Sequence, residues 1–284
     1  MMNLSDKYLL FINKIYPKLT ISKKEVIESG FHSTAIIVNN TLVFRFPLKK
    51  EFYNEYIHEV SLLKKIRKHI SVPIPDLKLH QTDDFVFTEH TLIEGTQYSQ
   101  LKSPLSKQEK EQLADDLALF LKELHNCPTD LPICQFSAEE YGVTEETIKR
   151  SRTLSNEEKT ELINIVRTFE TYDLKEDNIV LAHTDLNENN FLLKENRLVG
   201  VIDFGNACRR DLSSEFATLM KWDFDLVQKI AVKYEEMTGK SVDLSYALLL
   251  QKIRCYGGIL ESKENGQSPT RYRRWLERLK NIHL

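Results

Sequence analysis

Two patterns predict an α+β fold of two lobes, a small β-rich one followed by a larger, mainly helical one. Short apolar runs broken by turn signals dominate the first hundred residues, whereas beyond Lys107 apolar positions recur at helical spacing. At 284 residues the chain is also long for one hydrophobic core, so two lobes sharing a cleft are expected. The division is placed at residues 1–92 and 93–284.

Each element has a local reason. Leu9, Ile12 and Ile15 or Tyr16 line one face of a short helix over residues 5–16, which Pro17 stops. Ile36, Ile37 and Val38 pair with Leu42 to Phe46 across Asn39-Asn40, a dipeptide that tolerates positive φ in a tight turn. Tyr56, Ile57, Val60, Leu63 and Ile66 follow at helical spacing, and Phe85-Val86-Phe87 opens a further strand ending near Thr91 to Gly95. Lys107 to His125 and Ser155 to Tyr172 read as helices, the second opened by a Ser155–Glu158 capping box. Beyond Asp211 the pattern is mostly helical, and no internal repeat or low-complexity segment interrupts it.

Composition excludes some functions. A net charge of -3 provides no electrostatic footprint for nucleic acid. Cys127, Cys134, Cys208 and Cys255 form no Cys-x-x-Cys pair and read as reduced thiols. No apolar run approaches membrane-spanning length, and the first residues lack a basic-then-apolar leader. The expectation is a soluble, cytoplasmic monomer without a membrane or nucleic-acid partner.

The string His183 to Gly205 carries the chemistry. His183, Asp185 and Asn190 have the H-x-D-x-x-x-x-N spacing in which the Asp accepts a hydroxyl proton and the Asn holds magnesium. Asp203-Phe204-Gly205 has the form of the second magnesium ligand. Between them, Phe191–Leu193 and Leu198–Ile202 flank a polar turn, a hairpin that folds Asn190 back toward Asp203 so both oxygens can share a metal with nucleotide phosphates. Together these positions read as the catalytic loop and metal site of a kinase. His183 reads as a brace for the loop, and His125 as a packed helix end.

In the first lobe Arg45 interrupts an apolar strand, and Glu59 lies on the helical face of Leu62, Leu63 and Ile66, where a lone carboxylate is costly. Each can satisfy the other. In kinases a basic residue on this strand contacts nucleotide phosphates and is held by a helix glutamate, though here it is Arg, with its planar fork. Gly30 to Thr34 is the candidate phosphate-covering turn, with Ser33 and Thr34 as donors; its single glycine gives neither a G-x-G-x-x-G loop nor a Walker A motif.

With these pieces in place, the chain resembles the aminoglycoside phosphotransferases, small-molecule kinases with a protein-kinase-like bilobal fold. The likeness rests on the catalytic string, Gly30–Thr34 before VNNTLVFRFP, NEYIHEVSLLKKI, VPIP, the IEG at residues 93–95 and LALFLKELH ending at His125, in order from about residue 5 to about residue 220. It is nearest the 2''-phosphotransferases, which use ATP or GTP. The resemblance implies Asp185 as base, Asn190 and Asp203 as Mg²⁺ ligands, Arg45 as phosphate contact held by Glu59, and a base-binding hinge over residues 87–93 that includes Glu89 and Thr91. It also implies a cationic, hydroxylated small-molecule acceptor held by carboxylates, for which Asn206, Asp211, Glu215 and Asp223 are candidates.

Some features depart from that pattern. From Asp211 to Glu264 there are nine acidic and seven basic residues, close to an ordinary solvated surface. Asn206 stands where the resistance enzymes commonly carry Asp, and Lys221-Trp222 where the nearest relatives are richer in acid. The C-terminal stretch with Arg271, Arg273, Arg274, Arg278 and Lys280 is basic. A metabolic kinase for a sugar, choline or another alcohol is therefore the alternative. An inactive nucleotide-binding module is disfavoured by the retained metal ligands. Protein kinase activity is disfavoured by the short stretch between Gly205 and Asp211 and the missing A-P-E segment.

Overall fold

The computed structural model describes residues 4–27, 33–81, 85–134, 136–173 and 175–284. An antiparallel sheet builds the first lobe from β1 (Lys24–Ile27), β2 (Ser33–Val38), β3 (Leu42–Pro47), β4 (Lys78–Gln81) and β5 (Val86–Thr91), in the order β1-β2-β3-β5-β4. The β2–β3 turn uses Asn39 and Asn40, both at φ 54, the left-handed geometry that suits the twist of a hairpin. Helix α1 (Leu4–Ile15) covers one face of the sheet, with Tyr8 stacked on Phe46 at 4.2 Å. Its Tyr8 and Ile12 join Ile36, Val38, Phe44, Phe46 and Phe87 in a small core. Helix α2 (Tyr53–Ile66) belongs to the other face, where Glu59 meets Arg45. The outer strands β1 and β4 are too short and polar to announce themselves in the sequence.

The second lobe begins with β6 (Thr96–Gln97), which pairs with β8 (Phe191–Lys194), itself in a hairpin with β9 (Arg197–Val201). Between them lie α3 (Lys107–His125), α4 (Glu145–Arg150), α5 (Asn156–Glu170) and β7 (Ile179–Ala182). Then come β10 (Cys208–Asp211), α6 (Ala217–Met220), α7 (Phe224–Thr238), α8 (Leu244–Glu264) and α9 (Thr270–Lys280). The expected Ser155–Glu158 capping box opens α5. Strand β10 pairs antiparallel with β7, so the chain after Gly205 returns at once to the strand that feeds the catalytic loop. One extended core unites these helices with Leu62, Leu63 and Ile66 of α2, which ties the lobes together.

Mid-helix glycines in α8 have a packing cause. A Cβ on Gly257 would lie 2.4 Å from the Tyr141 carbonyl oxygen, which is backbone and has little room to yield. Gly257→Ala gains about 1 kcal/mol of helix propensity, yet overpacking of this kind typically costs about 1–3 kcal/mol. The expected outcome is a net loss of stability in urea unfolding.

Candidate active site

The site is assembled where the sheet, α2 and the β7–β10 segment meet. Strand pairing sets which residues face it: Ala35, Arg45 and Thr88 lie side by side, as do Ile37, Val43 and His90, so these six share one face of the sheet. From that face Arg45 Nη1 donates to both oxygens of Glu59 at 2.9 Å, and Nη2 donates to Asp203 Oδ1 at 2.9 Å. The Phe204 N–H donates to Glu59 Oε1 at 3.0 Å, so a carboxylate whose side chain is 1% exposed is satisfied from two lobes. Burial alone would discharge Arg45, but the Glu59 and Asp203 carboxylates outweigh it and hold its pKa above the ordinary arginine value. Arg45 and Glu59 thus satisfy each other as their sequence positions suggested.

The same register corrects two expectations. Thr34 is paired with Phe46 and only 2% exposed, so its hydroxyl belongs to the face packed under α1, while Ser33 at the strand start faces Arg45's side. Gly30 to His32, the rest of the candidate phosphate turn, lie outside the described residues. Glu89 is paired with Phe44, so it points away from the cleft. There it accepts hydrogen bonds from Tyr16 and from Lys78 (3.1 Å) and lies 3.0 Å from His80 Nε2. Burial would raise its pKa, but the hydrogen bonds from Tyr16 and Lys78 and the nearby His80 ring outweigh that and hold it below the usual carboxylate value. Glu89 therefore clamps α1 to the sheet. Thr91 closes β5 opposite Leu42, with an exposed side chain on the Glu89 face, and the following Leu92 N–H donates to Thr41 O at 2.7 Å.

The candidate catalytic loop joins β7 to β8. Asn187 Nδ2 donates to Asp185 Oδ1 at 2.9 Å, and Asn190 Nδ2 donates to the Asp185 carbonyl at 2.8 Å. The Asn190 carbonyl in turn accepts the Ile202 N–H at 2.9 Å, one residue before Asp203. Backbone ties of this kind bring Asp185, Asn190 and Asp203 into one neighbourhood. His183 is fully buried; its Nδ1 accepts the Asp185 N–H at 3.3 Å, so the ring proton sits on Nε2 and reaches Ile202 O at 3.0 Å. That leaves it no proton-accepting role.

Thr184 in this loop, at φ 67, and Asp203 just after β9, at φ 69, hold strained backbone. Such positions cost about 1–3 kcal/mol each and persist only when the surroundings over-determine them. Arg45 holds the Asp203 side chain, and Glu215 supplies much of the restraint at Thr184. Its carboxylate accepts the His183 N–H at 2.6 Å and the Thr184 N–H at 3.1 Å, and the Thr184 hydroxyl donates to the Asn206 carbonyl at 2.9 Å.

The acidic residues expected to meet a substrate are consumed inside the protein. Glu215 is 2% exposed and anchors the loop. Asp211 is buried, accepts the Ser213 N–H at 2.8 Å at the end of β10, and is pushed toward a higher pKa by that burial. Asp223 caps α7 through the Leu226 N–H, accepts the Tyr98 hydroxyl at 2.6 Å and pairs with Lys110 at 2.9 Å. Asn206 is exposed, with its carbonyl taken by Thr184. Glu215→Gln leaves one of the two loop N–H groups facing a donor, an expected cost of about 1–3 kcal/mol. Thermal unfolding and turnover should fall together in this variant.

Sequence reasoning overlooked Asn187, which orients the Asp185 carboxylate; an amide two residues beyond the Asp was its only signal. It noted Lys221 only as a departure. That ammonium lies in electrostatic range of Glu188 and Asp185, and burial lowers its pKa against the pull of those carboxylates.

As a cation site, Asn190 and Asp203 offer one carboxamide and one carboxylate oxygen. With its amide nitrogen anchored on Asp185, Asn190 keeps Oδ1 for an ion, and the Asp203 side chain is half exposed. Two hard oxygens completed by phosphates suit Mg²⁺, which rarely uses an all-protein cage. No group of three or more His, Cys, Asp or Glu able to hold a metal occurs among the described residues. No helix among them is long and apolar enough to cross a membrane.

Comparison with known proteins adds a family. The profile of the phosphotransferase enzyme family (APH) matches residues 25–248. The GDP complex of wild-type aminoglycoside 2'-phosphotransferase-IIIa superposes with a TM-score of 0.84 at 21% identity, over 99% of this chain and 100% of that one. The gentamicin complex of APH(2")-IIa gives 0.69 at 21% identity, over 100% and 98%. Macrolide 2'-phosphotransferase MphH from Brachybacterium faecium gives 0.67 at 15% identity, over 98% and 99%. At these identities the superpositions show a shared kinase-like fold.

Proposed function

The chain belongs to the phosphotransferase enzyme family, and from that premise we propose that it moves the γ-phosphate of ATP or GTP to a hydroxyl of a small molecule, with Asp185 as base. The observation that carries this reading is the convergence of Asp185, Asn190 and Asp203 beneath the Arg45–Glu59 pair. The nucleotide occupies the cleft between residues 1–92 and 93–284, its base against the backbone of the hinge and its phosphates toward Arg45. Asn190 and Asp203 would hold magnesium, which when bound neutralises charge on the phosphate oxygens.

The acceptor O–H proton passes to the Asp185 carboxylate as its oxygen bonds to the γ-phosphorus. The bond from phosphorus to the bridging oxygen breaks, the nucleoside diphosphate leaves, and Asp185 later releases the proton to solvent. Asn187 holds the carboxylate in orientation, and His183, Glu215 and Thr184 keep the loop shape. Such positioning is most of what phosphoryl transfer asks of a protein.

Two acceptor classes compete. An aminoglycoside is supported by the overall likeness to proteins solved with kanamycin and gentamicin. A metabolite alcohol is supported by a geometric observation: Asp211, Glu215 and Asp223 serve the protein's own packing, which removes the carboxylates expected to hold a polycation. A coupled phosphate-transfer screen of aminoglycosides, sugars and other alcohols with both triphosphates tests the reading. Turnover of at least one acceptor is expected, and no nucleotide consumption under any condition would refute it.

A further inference from the structure

The large-lobe side of the catalytic loop carries cations held by rings and not by carboxylates, as Arg278 over Trp222 also is at the C-terminal end. The Thr218 hydroxyl donates to Leu186 O at 2.9 Å, which seats α6 and the following Lys221 against the loop. From α8, Arg254 Nη2 reaches Thr184 O at 3.5 Å, one residue before Asp185. Elsewhere in this lobe, Lys110, Lys229, Lys233, Arg197 and Arg273 are all paired with carboxylates. Lys221, Arg254 and Arg210 have no carboxylate within ion-pair distance among the described residues. They lie over aromatic rings instead: Lys221 over Trp275 at 4.7 Å, Arg254 over Tyr141 at 5.6 Å and Phe136 at 4.9 Å, and Arg210 over Phe136 at 3.4 Å.

A ring face holds a cation without neutralising it. Arg254 spends Nε on the Tyr141 hydroxyl at 3.1 Å as well as Nη2 on Thr184 O, and Arg210 spends Nε on Cys208 Sγ at 2.9 Å, so among the described residues Nη1 of Arg254 and the Lys221 ammonium are donors left for another partner. All three cations are half-buried, so they are partly stripped of water yet open to solvent. Glu188 and Asp185 are the acidic groups in electrostatic range of Lys221, and Arg254 opposes them. Asp185 is reserved for the acceptor hydroxyl, and Glu188 keeps a buried Oε2 without a hydrogen-bond partner among the described residues, an acceptor suited to a further hydroxyl.

We propose that Lys221 and Arg254 form the subsite for an acidic group of the acceptor, a carboxylate or a phosphate ester, beside the hydroxyl that Asp185 activates. The acceptor is then a hydroxylated acid, and a polycation is repelled. This rests on the phosphotransferase reading above and narrows its substrate class. Lys221 and Arg254 act as specificity-determining residues, and Trp275 and Tyr141 hold them in place.

The test uses the full chain with magnesium and ATP or GTP. Acidic probes (glycerate, gluconate, glycerol phosphate) are compared with glycerol, glucose and kanamycin, alongside hydrolysis without acceptor and calorimetric nucleotide binding. At least one acidic probe should exceed its neutral counterpart in kcat/KM by about 10- to 100-fold, the range of a charge-assisted hydrogen bond. Carboxylate and phosphate probes separate the two sources of the anion. Lys221→Glu should abolish that preference, mainly through KM, and Lys221→Arg should restore it; the Arg variant also controls for folding. Equal or better turnover of glucose or kanamycin, or an unchanged acid preference in Lys221→Glu, would overturn the inference while leaving the phosphotransferase reading intact. Absence of both nucleotide binding and hydrolysis would instead remove the phosphotransferase reading, and this inference with it.

Discussion

Asp185→Asn is expected to lower phosphate transfer by about 10²- to 10⁴-fold, the usual contribution of a positioned general base. The substitution preserves shape. Asn190 is anchored on the carbonyl of residue 185, not on its carboxylate alone, so the loop and the Asn190–Ile202 tie survive. Nucleotide affinity should therefore persist while turnover collapses, as measured by calorimetry and steady-state kinetics on one preparation. Equal loss of both would point to a damaged loop. Retained turnover would remove Asp185 as base.

Arg45→Ala is expected to be the most destabilising single change in the cleft. It leaves Glu59 buried with the Phe204 N–H as its one hydrogen-bond partner among the described residues and frees Asp203 from its 2.9 Å partner. Breaking a buried pair by removing one member costs about 3–5 kcal/mol, because the remaining charge has no compensation. Urea unfolding should show that loss, and the nucleotide KM should rise, since the phosphates lose the guanidinium proposed to meet them. Arg45→Lys keeps the charge but not the fork that spans Glu59 and Asp203, so an intermediate loss is expected. A wild-type-like Arg45→Ala protein would contradict the role of this pair in joining the lobes.

Legibility in the sequence followed the range of the interactions involved. The proximity of Asp185, Asn190 and Asp203 was readable because they flank a short hairpin, where spacing alone brings its two ends together. Arg45 and Glu59 were readable because each charge sat in an apolar pattern that demanded a partner. Thr34 and Glu89 were misplaced because a strand's two faces depend on register, and a one-residue difference exchanges them. Their facing partners, Phe46 and Phe44, are known only once the strands are paired.

Glu215 was misread for a different reason. A carboxylate shortly after the metal site looks like a substrate ligand until the backbone N–H groups of His183 and Thr184 are seen to need it. Lys221 and Trp275 are distant in sequence and meet because α6 and α9 both pack on α8, so their pairing had no local signal.

The central claim is that this cleft transfers phosphate to a small hydroxyl acceptor, and the most direct measurement follows a radiolabelled γ-phosphate. Wild-type protein with magnesium should move the label into a small acceptor. The Asp185→Asn variant, or chelation of the metal, should leave the label on the nucleotide. Label that stays on the nucleotide with wild-type protein across every acceptor, or that moves equally fast with Asp185→Asn, would contradict the account.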